Sequence, residues 1–145
     1  MKHLLFALTV LIFLSLACTN SSEEKKIYSV YGIGPYQKIS LSQINDSIMQ
    51  TGKKLFDKNC SSCHTMEYKN SGPDLSNILE RRTPEWIMNY MMNLDEMKLK
   101  DSISVNLDKK YNSNCKIIIK NENEAFSILE YFRIYQIWLH EFNIK

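Results

Sequence analysis

The sequence predicts a small all-α domain carried behind an N-terminal leader. Three observations support that reading. Apolar residues recur at helical spacing around residues 44–59, 83–97 and 121–139. The second and third of those stretches open on residues that suit the first turn of a helix. The strand-like run Ile117-Ile118-Ile119 is only three residues long and reads as an extended loop against a core.

The leader comes first. Lys2 and His3 precede an apolar run from Leu4 to Leu14, followed by small residues at Ser15 and Ala17 and then by Cys18. A basic start, a short apolar core and a small-residue cleavage site make a secretory signal peptide, and the run is too short for a comfortable membrane span. Leu16-Ala17-Cys18 resembles the end of a bacterial lipoprotein signal, whose cysteine becomes the lipidated first residue. Ser15 departs from the aliphatic residue usual in that signal and, with Ala17, also suits ordinary signal-peptidase cleavage. Thr19 to Lys26 is rich in Ser, Asn and charge with no apolar period, which suits a tether. The expected organisation is a signal peptide over 1–17, a polar tether over 18–40 lipidated at Cys18, and one domain over 41–145. The formal net charge is +2, and basic and acidic residues are interspersed without a basic stripe, which argues against a nucleic-acid partner.

Within the domain, Ile44, Ile48, Leu55 and Phe56 predict a helix from Ile44 to Asn59. Gly52 inside it costs about 1 kcal/mol relative to Ala, so its presence suggests close approach of another helix. Ser71-Gly72-Pro73-Asp74 is a turn. Thr83-Pro84-Glu85 opens a second helix, with Thr83 at the N-cap, Pro84 at the first helical position and Glu85 at the positive end of the dipole. Trp86, Tyr90, Met91 and Leu94 share one face, with Ile87 and Met97 beside them. Asp95 to Asn114 is polar, with a weak helical stretch over Asp101 to Leu107. Asn121-x-x-Glu124 opens the last helix as a capping pair. Ala125, Ile128, Leu129, Phe132, Gln136 and Leu139 then follow one stripe, widened by Tyr131, Tyr135 and Trp138.

The first helix runs into Cys60-Ser61-Ser62-Cys63-His64, which reads as C-x-x-C-H. That spacing is the attachment site of a c-type haem. Two thiols two residues apart reach the two vinyl groups of the porphyrin in one turn, and the histidine directly after them lies under the ring with its imidazole aimed at the iron. Other readings exist. A dithiol redox pair of the thioredoxin kind would cap a helix that follows a strand, and here the motif follows a helix. A zinc site could draw on Cys60, Cys63, His64 and Cys115, but the adjacent Cys63 and His64 converge poorly on one small ion. A plain disulfide is the third. Haem c is attached outside the inner membrane, so the motif and the leader point the same way. A buried haem would also give a domain of this size a large apolar surface to pack around.

These residues resemble class I cytochrome c. The match comprises a helix with Gly52-x-x-x-Phe56, the C-x-x-C-H motif, Gly72-Pro73-x-Leu75 and a closing aromatic-rich helix. The resemblance implies that the first and last helices cross, with Gly52 and Phe56 against Ile128, Leu129 or Phe132. It implies that the Pro73 carbonyl accepts the other imidazole hydrogen of His64, fixing the ring and raising its basicity. Gly32-Ile33-Gly34-Pro35, Arg81-Arg82-Thr83-Pro84-Glu85-Trp86-Ile87 and Asn93-x-Asp95-Glu96-Met97 are further similar to the small lipoprotein cytochromes c of Bacteroidetes-type bacteria. Some of those accompany a nitrous oxide reductase.

One departure stands out. The family carries its sixth iron ligand, a methionine, about ten residues before the alanine of the last helix. Counting back from Ala125, that position is Cys115, and no methionine follows Met97. Thiolate ligation by Cys115, substitution by Met97 or Met92, and an open position or one held by Lys116 are the alternatives, beside a bystander role for Cys115 as a loop thiol. Arg81 and Arg82 are candidates to pair with haem propionates, or are a solvated pair at a helix start. Trp86 is a candidate propionate donor through its indole N–H, with core packing favoured. Lys53, Lys54, Lys58 and Lys69 are candidates for a docking rim or simply surface lysines.

The function expected is single-electron transfer rather than catalysis. The expected partners are a quinol-oxidising complex on one side and a periplasmic terminal reductase on the other, with a membrane reached through the lipid anchor. The alternative is a haem sensor or peroxidase-like protein with an open or cysteine-ligated sixth position.

Overall fold

The computed structural model describes residues 30–112 and 116–142. Among the described residues, six α-helices follow the leading segment: α1 (Asp46–Asn59), α2 (Ile78–Arg81), α3 (Pro84–Met92), α4 (Leu94–Lys100), α5 (Ser102–Tyr111) and α6 (Glu122–Phe142). There is no strand among those residues, and 116–120 run as the extended loop the sequence suggests.

The caps explain most of the boundaries. The side chain of Asn45 accepts from Ser47 N–H and Ile48 N–H, so α1 starts at Asp46 rather than at Ile44. Thr83 caps α3 through a hydrogen bond from Trp86 N–H, with Pro84 at the first position, as expected. Asp101 caps α5, which runs on to Tyr111 and ends at Asn112, in the left-handed region at φ 39°. Asn121 Oδ1 accepts from Glu124 N–H, and the Glu124 carboxylate accepts from Lys120 N–H, so the capping pair is offset by one residue from the usual reciprocal form.

Helices α1 and α6 make the largest helix–helix contact. A Cβ built on Gly52 would lie 1.8 Å from Ser127 O and 3.0 Å from Ile128 N, so only glycine lets the backbones meet. Phe56 packs its ring against Phe132 at 5.9 Å and Tyr131 at 5.5 Å. Ala125, Ile128 and Leu129 are fully buried, and burial of each large apolar side chain contributes about 1.5–3 kcal/mol. Near its end α6 turns outward from the core, so Trp138, expected to widen the core stripe, is exposed, while His140 pairs with Glu80 on α2.

Helix α3 lies over the remaining face and holds the leading segment as a strap. The Asn89 amide accepts from Tyr36 N–H and donates to the carbonyls of Tyr31 and Tyr36. Glu85 accepts from Ile39 N–H, Thr83 donates to Val30 O, and Asn93 donates to Ile33 O. Gly32, at φ 73°, lies against Met97, whose sulfur accepts from Ile33 N–H at 2.9 Å.

Candidate functional site

Helix α1 ends in the C-x-x-C-H turn. The N–H groups of Cys60 and Ser61 both donate to Phe56 O, and those of Cys63 and His64 donate to Cys60 O at 3.0 and 2.9 Å. The helix therefore closes directly into a tight loop that presents Cys60, Cys63 and His64 to one side. Gly72 N–H donates to Cys63 O, which docks the following turn beneath the motif. A side chain on Gly72 would meet the His64 ring at 2.4 Å, so the imidazole rests on bare backbone. His64 Nδ1 lies 2.8 Å from Pro73 O. A carbonyl can only accept, so Nδ1 carries the proton and Nε2 keeps a free lone pair. This is the hydrogen bond that the resemblance implied.

Eight of the nine candidate site residues converge on one place. Cys60, Cys63, His64, Pro73, Leu75, Arg81, Arg82 and Trp86 all line a single cavity; Cys115, the ninth, lies outside the described residues. The far wall comes from α6 through Ile128 and Phe132, and one side from Lys116, Ile117 and Ile119. Cys60 is a free thiol that burial pushes up to about 11, so it stays neutral near pH 7. Thioether attachment of a porphyrin would use the sulfurs of both Cys60 and Cys63.

The expected alternatives for the sixth ligand separate on position. Met97 is fully buried with its sulfur engaged by Ile33 N–H, and it does not line the cavity. Met92 is not on that wall either, whereas Met91 and Lys116 are. Met91 was legible as part of the α3 apolar face, but the sequence did not separate its direction from that of Met92. Lys98 and Asp108, paired at 2.6 Å, also line the cavity and were not anticipated, because they come from helices too polar to stand out.

The candidate propionate residues behave differently from one another. Arg81 donates to Asp74 O at 2.6 Å, which ties it to the turn. The Arg82 guanidinium lies over the Trp86 ring, 5.1 Å from its centroid, and burial lowers its proton affinity, helped by Arg81 and opposed by Asp101. Trp86 donates its indole N–H to Asp101 Oδ1 at 3.3 Å, so it serves as a packed wall rather than as a propionate donor. Tyr90 stacks on Trp86 at 4.9 Å. Of the lysines proposed for a rim, Lys53 pairs with Asp57 and Lys69 lies over the Tyr111 ring.

A flat apolar macrocycle with acidic groups on one edge fits these residues. The walls are chiefly aliphatic and aromatic, Arg82 supplies a cation that forms no salt bridge with a described residue, and two sulfurs and an imidazole nitrogen occupy one end. Among the described residues, no cluster of three or more His, Cys, Asp or Glu is placed to hold a bare metal ion.

Comparison with known proteins agrees. A family model for cytochrome c matches residues 49–131. The cytochrome c of Rhodothermus marinus is 32% identical over 76% of this chain and 96% of its own, with a TM-score of 0.70. An engineered form of that cytochrome matches with the same identity and coverage at 0.70, and a carbene-bound engineered form matches at 0.67. No curated protein matches the chain. The helical fold, the haem-attachment turn on its cavity and these matches agree: the chain belongs to the cytochrome c family, with the class I fold and covalently attached haem c.

Proposed function

We propose that this cytochrome is an exported, lipid-anchored single-electron carrier that takes electrons from a quinol-oxidising complex and feeds a periplasmic terminal reductase such as nitrous oxide reductase. The observation that carries the electron-transfer reading is the His64 imidazole, held by Pro73 with Nε2 free, beside two cysteines on one apolar cavity. Bound haem supplies a one-electron ferric/ferrous couple. His64 would hold its iron, with the Pro73 carbonyl raising imidazole basicity, and Cys60 and Cys63 would fix its edge. The apolar walls exclude water and limit the reorganisation that slows electron exchange.

The envelope location and the anchor are supported by the signal-like leader and Cys18. The reductase is suggested by the Arg81-Arg82-Thr83-Pro84-Glu85-Trp86-Ile87 resemblance. Metabolic labelling with a fatty-acid analogue is expected to mark the mature protein and to be lost in Cys18→Ala. Mixing the reduced cytochrome with purified nitrous oxide reductase and its substrate is expected to reoxidise the haem within milliseconds to seconds; reoxidation no faster than without reductase sinks that partner.

A second reading, a haem sensor or peroxidase-like protein, is favoured by the ligand side. Met97 is engaged elsewhere and no methionine follows it. Cys115 thiolate ligation is tested by paramagnetic resonance of the ferric protein beside Cys115→Ser. Rapid, complete carbon monoxide binding to the reduced form would support the second reading over a simple carrier.

A further inference from the structure

Asp101 joins α4 to α5 from inside the molecule and is only 2% exposed. Its Oδ1 accepts from Ser104 N–H and Ser104 Oγ at 2.8 Å each and from Trp86 Nε1 at 3.3 Å. Its Oδ2 is buried and accepts no hydrogen bond from a described residue. Capping α5 needs only the first oxygen, and Asn or Ser would supply it without carrying a charge inside. The second oxygen is therefore the feature that a capping role leaves unexplained.

Its surroundings connect it to the cavity. Trp86, bonded to Asp101, is part of the wall, as are Arg82 above the indole and Tyr90 stacked on it. With Arg82 over the indole and Tyr90 stacked on it, the three side chains form one continuous side of the cavity. Asp101 stands behind that side and interacts electrostatically with Arg82. A buried charge is screened far less than one at the surface.

We propose that Asp101 is a positioning residue that sets the redox poise of the cavity: its buried carboxyl group orients the Trp86 indole and, when ionised, places a negative charge behind the haem-facing wall. This rests on the haem reading above. Reduction adds one electron, so a fixed negative charge nearby favours the oxidised form and lowers the midpoint potential. Arg82, of opposite sign on the same wall, works against it.

The test uses the full-length, matured protein, with covalent haem confirmed by staining before any potential is measured. Asp101→Asn keeps an acceptor for both Ser104 and Trp86 while removing the charge. It is expected to raise the midpoint potential by about a tenfold change in the redox equilibrium, about 59 mV for a one-electron couple. Ser104→Ala keeps the charge and removes one donor to it, and is expected to lower the potential. Asp46→Asn, an exposed carboxylate in the first turn of α1, is the control and is expected to leave it unchanged. An Asp101→Asn potential equal to that of the unaltered protein overturns the proposal. So does a shift of both cavity-side variants in one direction, which marks general loosening instead of charge. If Asp101→Asn does not mature, the sign of the Ser104→Ala shift decides. Absence of covalent haem in the unaltered protein refutes the haem reading itself and is seen at the staining step.

Discussion

Two glycines show how far single atoms matter here. Gly52→Ala places a methyl group 1.8 Å from a backbone oxygen of α6, which cannot rotate away. It is expected to destabilise the fold by about 3 kcal/mol, read as a lowered midpoint in denaturant unfolding. Gly72→Ala instead pushes on the His64 ring, so its expected signature is an altered haem absorption spectrum. The Cys60 thiol gives a pH prediction in the haem-free chain. Burial raises its folded value to about 11, above that of the unfolded thiol, so the fold favours the protonated form. The associated stability is present below about pH 8.5 and is lost as pH rises through 11. Alkylation of Cys60 by iodoacetamide is expected to stay slow at about pH 8 and to accelerate toward about pH 11. At this scale the site was readable where spacing alone defines chemistry, as in Cys60-x-x-Cys63-His64. The Trp86–Asp101 bond was not, because an indole N–H has many possible acceptors and only the folding of the α4–α5 junction back beside α3 selects one 15 residues away.

Among the elements, α3 carries the most varied load. One side of it walls the cavity with Trp86, Tyr90 and Met91, while Thr83, Glu85 and Asn89 hold the strap. Asn89 is fully buried, and its amide satisfies three part-buried backbone groups of the strap. Asn89→Ala is expected to cost about 2–4 kcal/mol, since each stranded buried group carries its own desolvation penalty. Thr83→Ala is expected to cost about 1 kcal/mol through the lost cap. Thermal unfolding of the two variants, compared at equal haem content, checks both values and their order. The start of α3 was legible from Thr83-Pro84-Glu85, because capping is local chemistry. Helices α2 and α4 were not, since four and seven residues are too few to display a period. The strap was hidden for a different reason: Asn89, Asn93 and Glu85 look like an ordinary polar helix face until there is backbone for them to bind.

For the molecule as a whole, the cavity is the organising feature and its occupant should contribute to stability. The domain joins α1, α3 and α6 around a space lined by all three. A Cys60→Ala and Cys63→Ala double variant, unable to form thioethers, is expected to show no covalent haem on a denaturing gel. Its unfolding transition is expected to be lower and broader than that of the matured protein, because a group bound only by the native state shifts the equilibrium toward it. The class I architecture was legible because the motif, the turn and the terminal helices each have sequence signatures. Whether the iron has a second axial ligand, and which side chain supplies it, was not, because no methionine follows Met97 to mark it.

The contact of Gly52 with Ser127 and Ile128 also dictates an order of events. The two helices that meet there sit at opposite ends of the domain, so their docking closes a long loop, the slow kind of step in folding. Until α6 has been synthesised and has arrived, Ile128 and Phe132 cannot complete the far wall. The cysteines at the end of α1 therefore spend the early life of the chain on an open, half-built surface. Such a surface leaves Cys60 and Cys63 accessible to a porphyrin from the side that α6 later covers.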